Sequence, residues 1–418
     1  MNIRIICIGD ELLSGDTINT NLGTVGDILA QNGMAVSGEQ CVPDDRDSIL
    51  DAIKSADGSD AVILIGGLGP TKDDLTRPVT AEFLHRPLHL DDAIRQHIAD
   101  YLGQRARVMP QDALATQAQV PEGAVVLPND NGTAPGLAIT EGSTLWAMLP
   151  GPPRELKPMF VHYLLPMLIA RESSRQDVLT VRICGLPESR VEAAADQAIA
   201  DIPGLHFAIC LKNDCIMIRL STPSSTDSAM RLAQAKSALA SAFGFRLMPD
   251  DCTNAVQYLG KLLRERGLVM ATAESCTGGG IAQSITAIPG SSDWFVGGMV
   301  TYANEWKHNC LGVRNETLET FGAVSEETVH EMLDGLKNRC GVPAGVAVSG
   351  IAGPGGGTPE KPVGTVVIGA FAPGWREVTT MHYNGLRDTV RMRSGASCIN
   401  LLIAGLMAGT ATEPPAKP

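Results

Sequence analysis

Short apolar runs alternate with amphipathic stretches along residues 1–170. The run at residues 3–8 predicts a strand, and the amphipathic stretch 19–32, followed by Gly33, predicts a helix that ends at that glycine. The continuous apolar run AVILI at residues 61–65 is typical of a strand covered on both faces. Strands and helices that alternate in this way predict an α/β domain with a parallel or mixed sheet.

Residues 171–250 have a different pattern, in which two strand-like segments follow one another with a short polar connection. This pattern predicts a small α+β middle domain, and we find no catalytic type of side-chain cluster in its sequence. The predicted elements are a strand at 178–185, a helix at 187–200, strands at 205–211 and 215–221, and a helix at 226–242.

Residues 251–410 return to the α/β pattern and predict a third domain. The chain then ends in the segment 411–418, which we expect to be a disordered tail. The predicted elements of the third domain are helices at 253–266 and 325–339, a helix after the AESCTGGG segment, a final helix from 386, and strands at 268–272, 295–303, 344–349 and 363–371.

Composition and charge narrow the class of protein. Hydrophobic residues make up 44 % of the 418 residues and charged residues 19 %, as in ordinary globular proteins. The net charge of −13 argues against nucleic acid and against membrane surfaces as partners, because both attract clustered Lys and Arg. No apolar run approaches the roughly 20 residues of a membrane span, and no signal segment precedes the first strand. We therefore expect a cytoplasmic protein.

The ten cysteines do not form a recognisable site in the sequence. None lies in a C-x-x-C pair, and no Cys/His spacing matches a zinc site. Cys7, between two isoleucines, illustrates their mostly apolar neighbours. Small buried thiols in a reducing compartment are the expected interpretation.

The segment 273–279, AESCTGG, places hydroxyl residues and glycines where a strand gives way to a helix. Free N–H groups at a helix N-terminus suit a phosphate or a developing oxyanion. The competing interpretation is an N-cap, in which Ser or Thr holds the helix end.

Two further segments supply a candidate proton carrier and glycine-rich backbone. Tyr302 and Lys307 lie near a strand-to-helix junction, where an ordinary strand tyrosine and a solvated helix lysine are the competing interpretation. Residues 349–357 hold five glycines after an apolar strand and allow close backbone approach. This loop is not a Walker loop, because no Gly-Lys-Ser/Thr sequence closes it.

A fourth segment begins the final helix. Arg387 and Arg391 lie four residues apart and share a helix face near its start. The pair can form a fork for a phosphate, and a surface pair of arginines is the competing interpretation.

Together, and in this order, these segments resemble the C-terminal CinA domain, the PncC-type nicotinamide-nucleotide amidase. The matching stretches are AESCTGG, PGSS.WF, VTY.NE.K, GAVSEET, GIAGPGGG, EKPVGTV and G.RD.VR, and they cover about residues 253–406. Ala303 and Trp306 depart from the family's pattern, where a serine and a small residue are expected.

The resemblance implies a serine amidohydrolase that needs no metal or other cofactor and converts nicotinamide mononucleotide to nicotinic acid mononucleotide and ammonia. It implies Ser275 as nucleophile, Lys307 as its base and Tyr302 as an orienting group, with Ser292 as the rival nucleophile. A serine hydroxyl needs an adjacent base, and burial can make a lysine neutral enough to act as one. The residues implied for substrate binding are Glu274, Thr277, Gly278, Gly279, Gly353, Gly355, Gly356, Arg387 and Arg391.

The N-terminal domain carries its own chemistry in loops that follow predicted strands. The segments 9–15, 66–74, 128–136 and 149–153 combine glycine, proline and acidic residues. Ligands of α/β sheets bind outside the carboxyl ends of strands, and acidic residues beside glycine-rich backbone suit a nucleotide phosphate with a divalent cation. Solvated turns are the competing interpretation.

Residues 2–168 resemble the N-terminal CinA domain, which is similar to the molybdopterin-binding MoaB/MogA proteins. The resemblance implies this fold and a metal-dependent cleavage of ADP-ribose to AMP and ribose 5-phosphate. The metal ligands expected are Asp10, Asp73 and Asp74, all oxygen donors. The residues implied for nucleotide binding are Gly9, Glu11, Gly66, Gly67, Gly69, Thr71, Lys72, Asn131 and Gly132.

Three functional hypotheses stay open at this point. The first is an enzyme with both activities, and the second is an amidase whose N-terminal domain binds a nucleotide or pterin without catalysis. The third is a non-enzymatic adaptor in competence or DNA damage. We expect small nucleotides as partners, namely nicotinamide mononucleotide and ADP-ribose, and a second copy of the chain in a homodimer.

Overall fold

The computed structural model describes residues 1–106, 108–212 and 214–408, and the chain divides into two units. The first unit comprises Met1–Val178 and Ser221–Ala229. The second comprises Leu179–Leu220 and the chain from Met230 onward, so the contacts group most of the middle segment with the C-terminal part. The division into domains at 170 and 250 stays a prediction, and the tail 411–418 lies outside the described residues.

The first unit alternates strands and helices as the sequence predicts. Its strands are β1 (Ile3–Ile8), β2 (Val36–Val42), β3 (Ala61–Ile65), β4 (Leu88–Leu90), β5 (Gln119–Pro121), β6 (Val125–Leu127), β7 (Gly136–Glu141) and β8 (Thr144–Leu149). Its helices are α1 (Asp10–Ser14), α2 (Asn21–Gln31), α3 (Arg46–Ala56), α4 (Thr76–Phe83), α5 (Asp92–Gly103), α6 (Gln111–Gln117), α7 (Pro153–Met159) and α8 (Leu165–Arg171), with a π-helical turn at Phe160–Leu164.

Six of these strands form one mixed sheet in the order β2-β1-β3-β8-β7-β6. β1 runs parallel to β2 and β3, and β3 runs parallel to β8, whereas β7 is antiparallel to its two neighbours. Alternate residues of β3 enter the two cores on opposite faces: Val62 and Leu64 pack in one, and Ile63 and Ile65 in the other. Because β1, β3 and β8 are parallel, the loops that follow them meet at one edge of the sheet.

The remaining elements begin with β9, which starts just before the division between the units. The strands are β9 (Gln176–Cys184), β10 (His206–Lys212), β11 (Cys215–Pro223), β12 (Met270–Glu274), β13 (Phe295–Val300), β14 (Ala344–Gly350), β15 (Thr365–Ala372) and β16 (Trp375–His382). The helices are α9 (Glu188–Ile199), α10 (Ser228–Phe243), α11 (Ala255–Glu265), α12 (Gly280–Thr286), α13 (Asn304–Leu311), α14 (Asn315–Thr320), α15 (Glu326–Cys340) and α16 (Arg387–Ala408), with 3-10 turns at Gly244–Arg246 and Ser291–Asp293.

The C-terminal sheet has the order β13-β12-β14-β15-β16. β12 runs parallel to β13 and β14, and β15 is antiparallel to β14 and β16. Since the strand after β12 lies on one side of it and β14 lies on the other, the carboxyl end of β12 is a topological switch point, where α/β proteins bind ligands. The AESCTGG segment follows at this place.

The middle segment forms a three-stranded sheet in the order β10-β11-β9. This sheet and the two mixed sheets confirm the expected α/β class. The structure differs from the predicted elements of the third domain in several details. β12 runs to Glu274 rather than stopping at residue 272, β13 ends at Val300 rather than at residue 303, and α14 and β16 were not predicted. β16 is an edge strand with mixed exposure, so it lacks a continuous apolar run. Within the described residues, no helix is long and apolar enough to cross a membrane.

Candidate functional site

Ser275 lies in the first turn after β12, where two neighbouring segments hold it. Its backbone N–H donates to the carbonyl of Val348 on β14 over 3.0 Å. Its hydroxyl accepts a hydrogen bond of 3.1 Å from the Nζ of Lys307 on α13. Ser275 and Lys307 are 32 positions apart in the sequence, and the structure brings them into direct contact.

Lys307 is a buried lysine whose side chain is 1 % exposed. Burial disfavours the charged ammonium and lowers the pKa of Lys307 to about 8. Its Nζ also donates to the backbone carbonyls of Thr301 over 2.8 Å and Tyr302 over 3.2 Å. These carbonyls fix the amine beside the serine, and the lowered pKa leaves an appreciable neutral fraction near pH 8.

A cavity of about 180 Å³ opens beside the Ser275 and Lys307 side chains. Tyr302 and Arg387, both predicted from the sequence, are in its wall. The sequence analysis did not single out the other lining residues, which are Cys276, Ala323, Val324, Ser349, Gly350 and Ala352. Ser349, Gly350 and Ala352 lie at the end of β14 or just after it, and Ala323 and Val324 belong to the GAVSEET segment.

The mouth of this cavity is formed by Tyr302 and Arg387. Tyr302 is 60 % exposed, and its hydroxyl accepts a hydrogen bond of 3.0 Å from the guanidinium of Arg387. The same guanidinium donates to the carbonyl of Gly353 over 2.6 Å. The contact places a positive charge next to the cavity and leaves the tyrosine ring accessible to a ligand.

Glu274 is fully buried and supports the turn from within. Its carboxylate accepts hydrogen bonds from the N–H groups of Gly279 (3.0 Å), Ile281 (3.1 Å) and Ala282 (2.8 Å). The hydroxyls of Thr272 (3.3 Å) and Thr277 (2.7 Å) donate to it as well. The structure therefore places Glu274 as an acceptor for the start of α12, outside the described lining of the cavity.

This arrangement changes the expected use of the helix N-terminus. The N–H groups of Gly279, Ile281 and Ala282 already donate to Glu274 and are not available to an oxyanion. Gly278 and Gly279 have φ values of 61° and 92°, a left-handed conformation that favours glycine and lets the chain fold over the carboxylate. The start of α12 therefore does not offer these three N–H groups to a ligand.

The two arginines of α16 separate instead of forming a fork. Arg387 reaches the Ser275 cavity, whereas Arg391 lines a different cavity of about 610 Å³ together with Thr277 and Asp388. Arg391 donates to the backbone carbonyls of Cys276 (Nε, 3.2 Å) and Thr277 (Nη2, 2.9 Å). Arg391 thus contacts the backbone of the turn after Ser275, and it also pairs with Asp388.

Ser292, the rival nucleophile, lies in the 3-10 turn Ser291–Asp293 and is exposed. It is outside the described set of residues that line the Ser275 cavity. Gly355 and Gly356 lie in the loop after β14 and are likewise outside that set, whereas Gly353 contributes its carbonyl to Arg387. The geometry around Lys307 therefore favours Ser275 over Ser292.

The first unit holds a cavity of about 570 Å³ at the carboxyl edge of its sheet. Seven residues predicted from the sequence line it: Gly9, Glu11, Gly66, Gly67, Gly69, Asp73 and Asp74. The predicted residues Asp10, Thr71, Lys72, Asn131 and Gly132 are outside the described lining, and Thr133 and Ala134 of the 128–136 segment take part instead. The loops after β1, β3 and β8 meet here, as the parallel pairing requires.

The acidic residues of this cavity have different surroundings. Asp74 accepts from the N–H groups of Gly69 (2.7 Å) and Thr71 (2.8 Å), so it stabilises its own loop. Asp44, which the sequence analysis missed, accepts from the N–H of Asp10 over 2.9 Å. Burial, with the nearby negative charges of Asp10, Glu11 and Asp73, raises the pKa of Asp44.

A metal site made of protein ligands alone is not formed here. Within residues 1–106, 108–212 and 214–408, no group of three or more His, Cys, Asp or Glu side chains is arranged to hold a metal ion. Asp10, Asp73 and Asp74 are therefore not brought together as a three-carboxylate site. A magnesium ion that shares its ligands with a substrate diphosphate needs one or two carboxylates, and Asp44 and Asp73 both line the cavity.

Comparison with known proteins assigns a family to each half of the chain. Residues 253–406 match the family model of the CinA C-terminal domain, and residues 4–170 match that of a molybdopterin binding domain. A competence-damage inducible protein of Symbiobacterium thermophilum is 40 % identical over 420 residues, which cover 96 % of this chain and 98 % of that protein. A CinA-like protein of Kosmotoga olearia is 36 % identical over 410 residues, covering 97 % and 99 %.

Among solved structures, the competence/damage inducible protein CihA from Agrobacterium tumefaciens is 42 % identical. The match covers 38 % of this chain and 97 % of that chain, with a TM-score of 0.36. The family models span the two halves in the order that the sequence motifs predict, and the relatives match over almost the whole length. The chain belongs to the CinA family.

Proposed function

We propose that the C-terminal site hydrolyses the carboxamide of nicotinamide mononucleotide. The observation that carries this proposal is the 3.1 Å hydrogen bond between the Nζ of buried Lys307 and the Oγ of Ser275. A serine becomes a nucleophile when an adjacent base accepts its proton. Lys307, with its pKa lowered to about 8, is the base next to it.

The first half of the reaction forms an acyl-enzyme. The Oγ of Ser275 attacks the carboxamide carbon while the Nζ of Lys307 takes the hydroxyl proton. The C–N bond of the tetrahedral intermediate then breaks, and Lys307 delivers that proton to the departing ammonia. Backbone N–H groups of the turn after Ser275 stabilise the negative oxygen.

The second half restores the enzyme. Lys307, again neutral, takes a proton from water as the water oxygen attacks the ester carbonyl. The ester C–O bond breaks, Ser275 regains its proton from Lys307, and nicotinic acid mononucleotide leaves. All proton transfers run between groups that the substrate, water and this pair of side chains supply.

Cavity size and charge support a pyridine ring with its phosphate outside. Sites for whole drug-sized ligands are roughly 300–1,000 Å³, so the cavity of about 180 Å³ suits the nicotinamide ring. The ribose phosphate would then lie at the mouth, where the Arg387 guanidinium offers a planar set of donors. Tyr302 beside it would orient the substrate.

A second activity, hydrolysis of ADP-ribose in the first unit, is supported by the 570 Å³ cavity with its glycine-rich loops and carboxylates. Asp44 and Asp73 would hold a divalent cation jointly with the diphosphate, and the cation would offset the phosphate charge. The backbone of Gly66, Gly67 and Gly69 would approach the phosphates closely.

Incubation of the intact protein with each nucleotide tests both activities. We expect ammonia and nicotinic acid mononucleotide in equal amounts from nicotinamide mononucleotide. We also expect AMP from ADP-ribose when magnesium is present. Ammonia release without AMP release would leave the amidase as the function and the first unit as a binding domain. A protein that releases neither product would contradict both proposals and favour the adaptor hypothesis.

A further inference from the structure

Three peptide planes follow Ser275, and the structure fixes each of them through its carbonyl. The carbonyl of Ser275 accepts from the N–H of Gly278 over 3.0 Å. The carbonyls of Cys276 and Thr277 accept from two different nitrogens of one guanidinium, that of Arg391, over 3.2 and 2.9 Å. The residues after the nucleophile are therefore oriented by a side chain on α16, more than a hundred positions away in the sequence.

The carbonyl and the N–H of a trans peptide point in opposite directions. When Arg391 binds the carbonyl of Cys276, the N–H of Thr277 is directed away from the guanidinium. By the same geometry the Ser275 carbonyl, bound by Gly278, directs the N–H of Cys276 to its opposite side. The direction of each of these two N–H groups is therefore set by the hydrogen bond to the carbonyl of the same peptide plane.

The N–H groups of the turn then fall into two sets. Those of Gly279, Ile281 and Ala282 donate to Glu274, and those of Gly278 and Gly280 donate to carbonyls of the turn. Among the described residues, the structure gives no acceptor on another residue for the N–H groups of Cys276 and Thr277. These two donors belong to the two residues after Ser275, and Cys276 lines the Ser275 cavity.

We infer that Arg391 is a positioning residue for the oxyanion, and not a ligand of the substrate phosphate. Through the Cys276 carbonyl it holds the peptide plane that carries the Thr277 N–H. This donor, together with the Cys276 N–H on the plane that Gly278 holds, can then receive the negative oxygen of the tetrahedral intermediate. Preorganised donors of this kind stabilise charge that develops in the transition state, since they need no reorientation during the reaction. The inference rests on the proposed amidase activity.

Its location supports the same assignment. Arg391 lines the cavity of about 610 Å³ behind the turn, with Thr277 and Asp388, whereas Arg387 lines the cavity that contains Ser275 and Lys307. Arg391 also forms an ion pair of 3.2 Å with Asp388, which offsets the charge of its guanidinium. Arg387 therefore lines the cavity where the substrate would bind, and Arg391 contacts the backbone of the turn after Ser275.

The test compares nicotinamide mononucleotide with nicotinamide riboside, which has the same carboxamide and lacks the phosphate. For Arg391→Ala we expect kcat to fall about tenfold to hundredfold for both substrates, with KM little changed. This is somewhat less than the roughly 10²–10³-fold loss typical when an oxyanion donor is removed outright. For Arg387→Ala we expect a raised KM for the nucleotide and little change for the riboside.

Arg393→Ala is the matched control, because Arg393 is an exposed arginine of the same helix and should leave both substrates unaffected. Circular dichroism and Tm establish that each variant is folded. If Arg391→Ala does not fold, Arg391→Lys decides, since a lysine can reach one carbonyl and should lower kcat for both substrates to an intermediate level.

A raised KM for the nucleotide alone, in Arg391→Ala or Arg391→Lys, would overturn the inference and make Arg391 a phosphate ligand. Unchanged kinetics in a folded Arg391→Ala would overturn it as well. A wild-type protein that releases no ammonia from either substrate would contradict the proposed amidase function itself, so the two failures are distinguishable.

Discussion

At the scale of single residues, the proposed hydrolysis depends on Lys307, because burial makes this lysine a usable base. A lysine on the surface is almost fully protonated at neutral pH, because its ordinary pKa is about 10.4. Burial of Lys307 lowers that pKa to about 8, and the carbonyls of Thr301 and Tyr302 keep the amine beside Ser275. The sequence motifs contain both residues, and the structure adds the contact and the burial on which the proposed reaction depends.

The pH dependence of the amidase follows from this pKa. Only neutral Lys307 accepts the Ser275 proton, so kcat/KM should rise with pH and level off above about 8. Lys307→Arg is the control, since a guanidinium with a pKa above about 12 stays charged and should be inactive across the same range. A flat profile between pH 6 and 9 in the wild-type protein would contradict the role of Lys307 as base.

The choice between the two candidate serines can also be tested at this scale. Ser292 is exposed in its 3-10 turn, whereas Ser275 contacts Lys307. We expect Ser292→Ala to keep near-normal ammonia release. Turnover that disappears in Ser292→Ala and survives in Ser275→Ala would transfer the nucleophile role to Ser292.

At the scale of elements, the turn between β12 and α12 is held from both sides. Glu274 accepts the N–H groups at the start of α12, and Arg391 of α16 donates to the carbonyls nearer Ser275. One contact removes donors that an oxyanion would otherwise use, and the other leaves two donors free. These contacts orient the turn after Ser275, and the proposed reaction needs donors that are oriented in advance.

Removal of the Glu274 carboxylate should therefore cost both stability and activity. Glu274→Ala leaves three N–H groups without their acceptor, and each unsatisfied buried donor costs roughly 1–3 kcal/mol. We expect a clearly lower Tm and a loss of ammonia release, with Glu274→Gln intermediate because its amide retains one acceptor oxygen. Glu319→Ala, on the exposed surface of α14, is the control. A Glu274→Ala protein with unchanged Tm would refute this role.

The sequence predicted many of the strands and helices and proposed Ser275 and Lys307 as a pair, but it did not predict the contacts of Glu274 and Arg391 with the turn after Ser275. Strand and helix positions follow from apolar periodicity, and Ser275, Tyr302, Lys307 and Arg387 lie in recognisable motifs that the fold brings together. The role of Arg391 depends on which side of α16 faces the turn, and a spacing of four residues does not reveal it. Asp44 was missed because it follows β2, at a distance in sequence from the glycine-rich loops that it joins.

At the scale of the whole molecule, each unit has its own cavity with its own chemistry. The C-terminal cavity contains a neutralisable lysine and a serine, and the N-terminal cavity contains carboxylates and glycine-rich backbone. The segments that match the CinA C-terminal domain begin at residue 253. The two proposed activities should therefore be separable by deletion and by chemistry.

A fragment that begins near Asp251 should fold and release ammonia from nicotinamide mononucleotide. Every described residue that lines the Ser275 cavity lies beyond that point. Circular dichroism and an ammonia assay check the prediction. A folded fragment without activity would mean that the site needs residues from elsewhere, for example from a second copy of the chain.

Chelation should separate the activities in the intact protein. We expect EDTA to stop AMP release from ADP-ribose, with recovery on addition of magnesium, and to leave ammonia release unchanged, because the proposed serine–lysine reaction uses no metal. Asp73→Asn together with Asp74→Asn should have the effect of EDTA, since both residues line the cavity and Asp74 also holds its loop. Loss of both activities on chelation would contradict this assignment.

The most direct test of the central proposal is the stoichiometry of nicotinamide mononucleotide hydrolysis in the wild-type protein and in Ser275→Ala, with EDTA present. The wild-type protein should release ammonia and nicotinic acid mononucleotide in a 1:1 ratio. The variant should retain its circular dichroism spectrum and lose activity by several orders of magnitude, as expected for loss of a nucleophile. Absence of product from the wild-type protein, or undiminished turnover by a folded Ser275→Ala, would contradict the proposal.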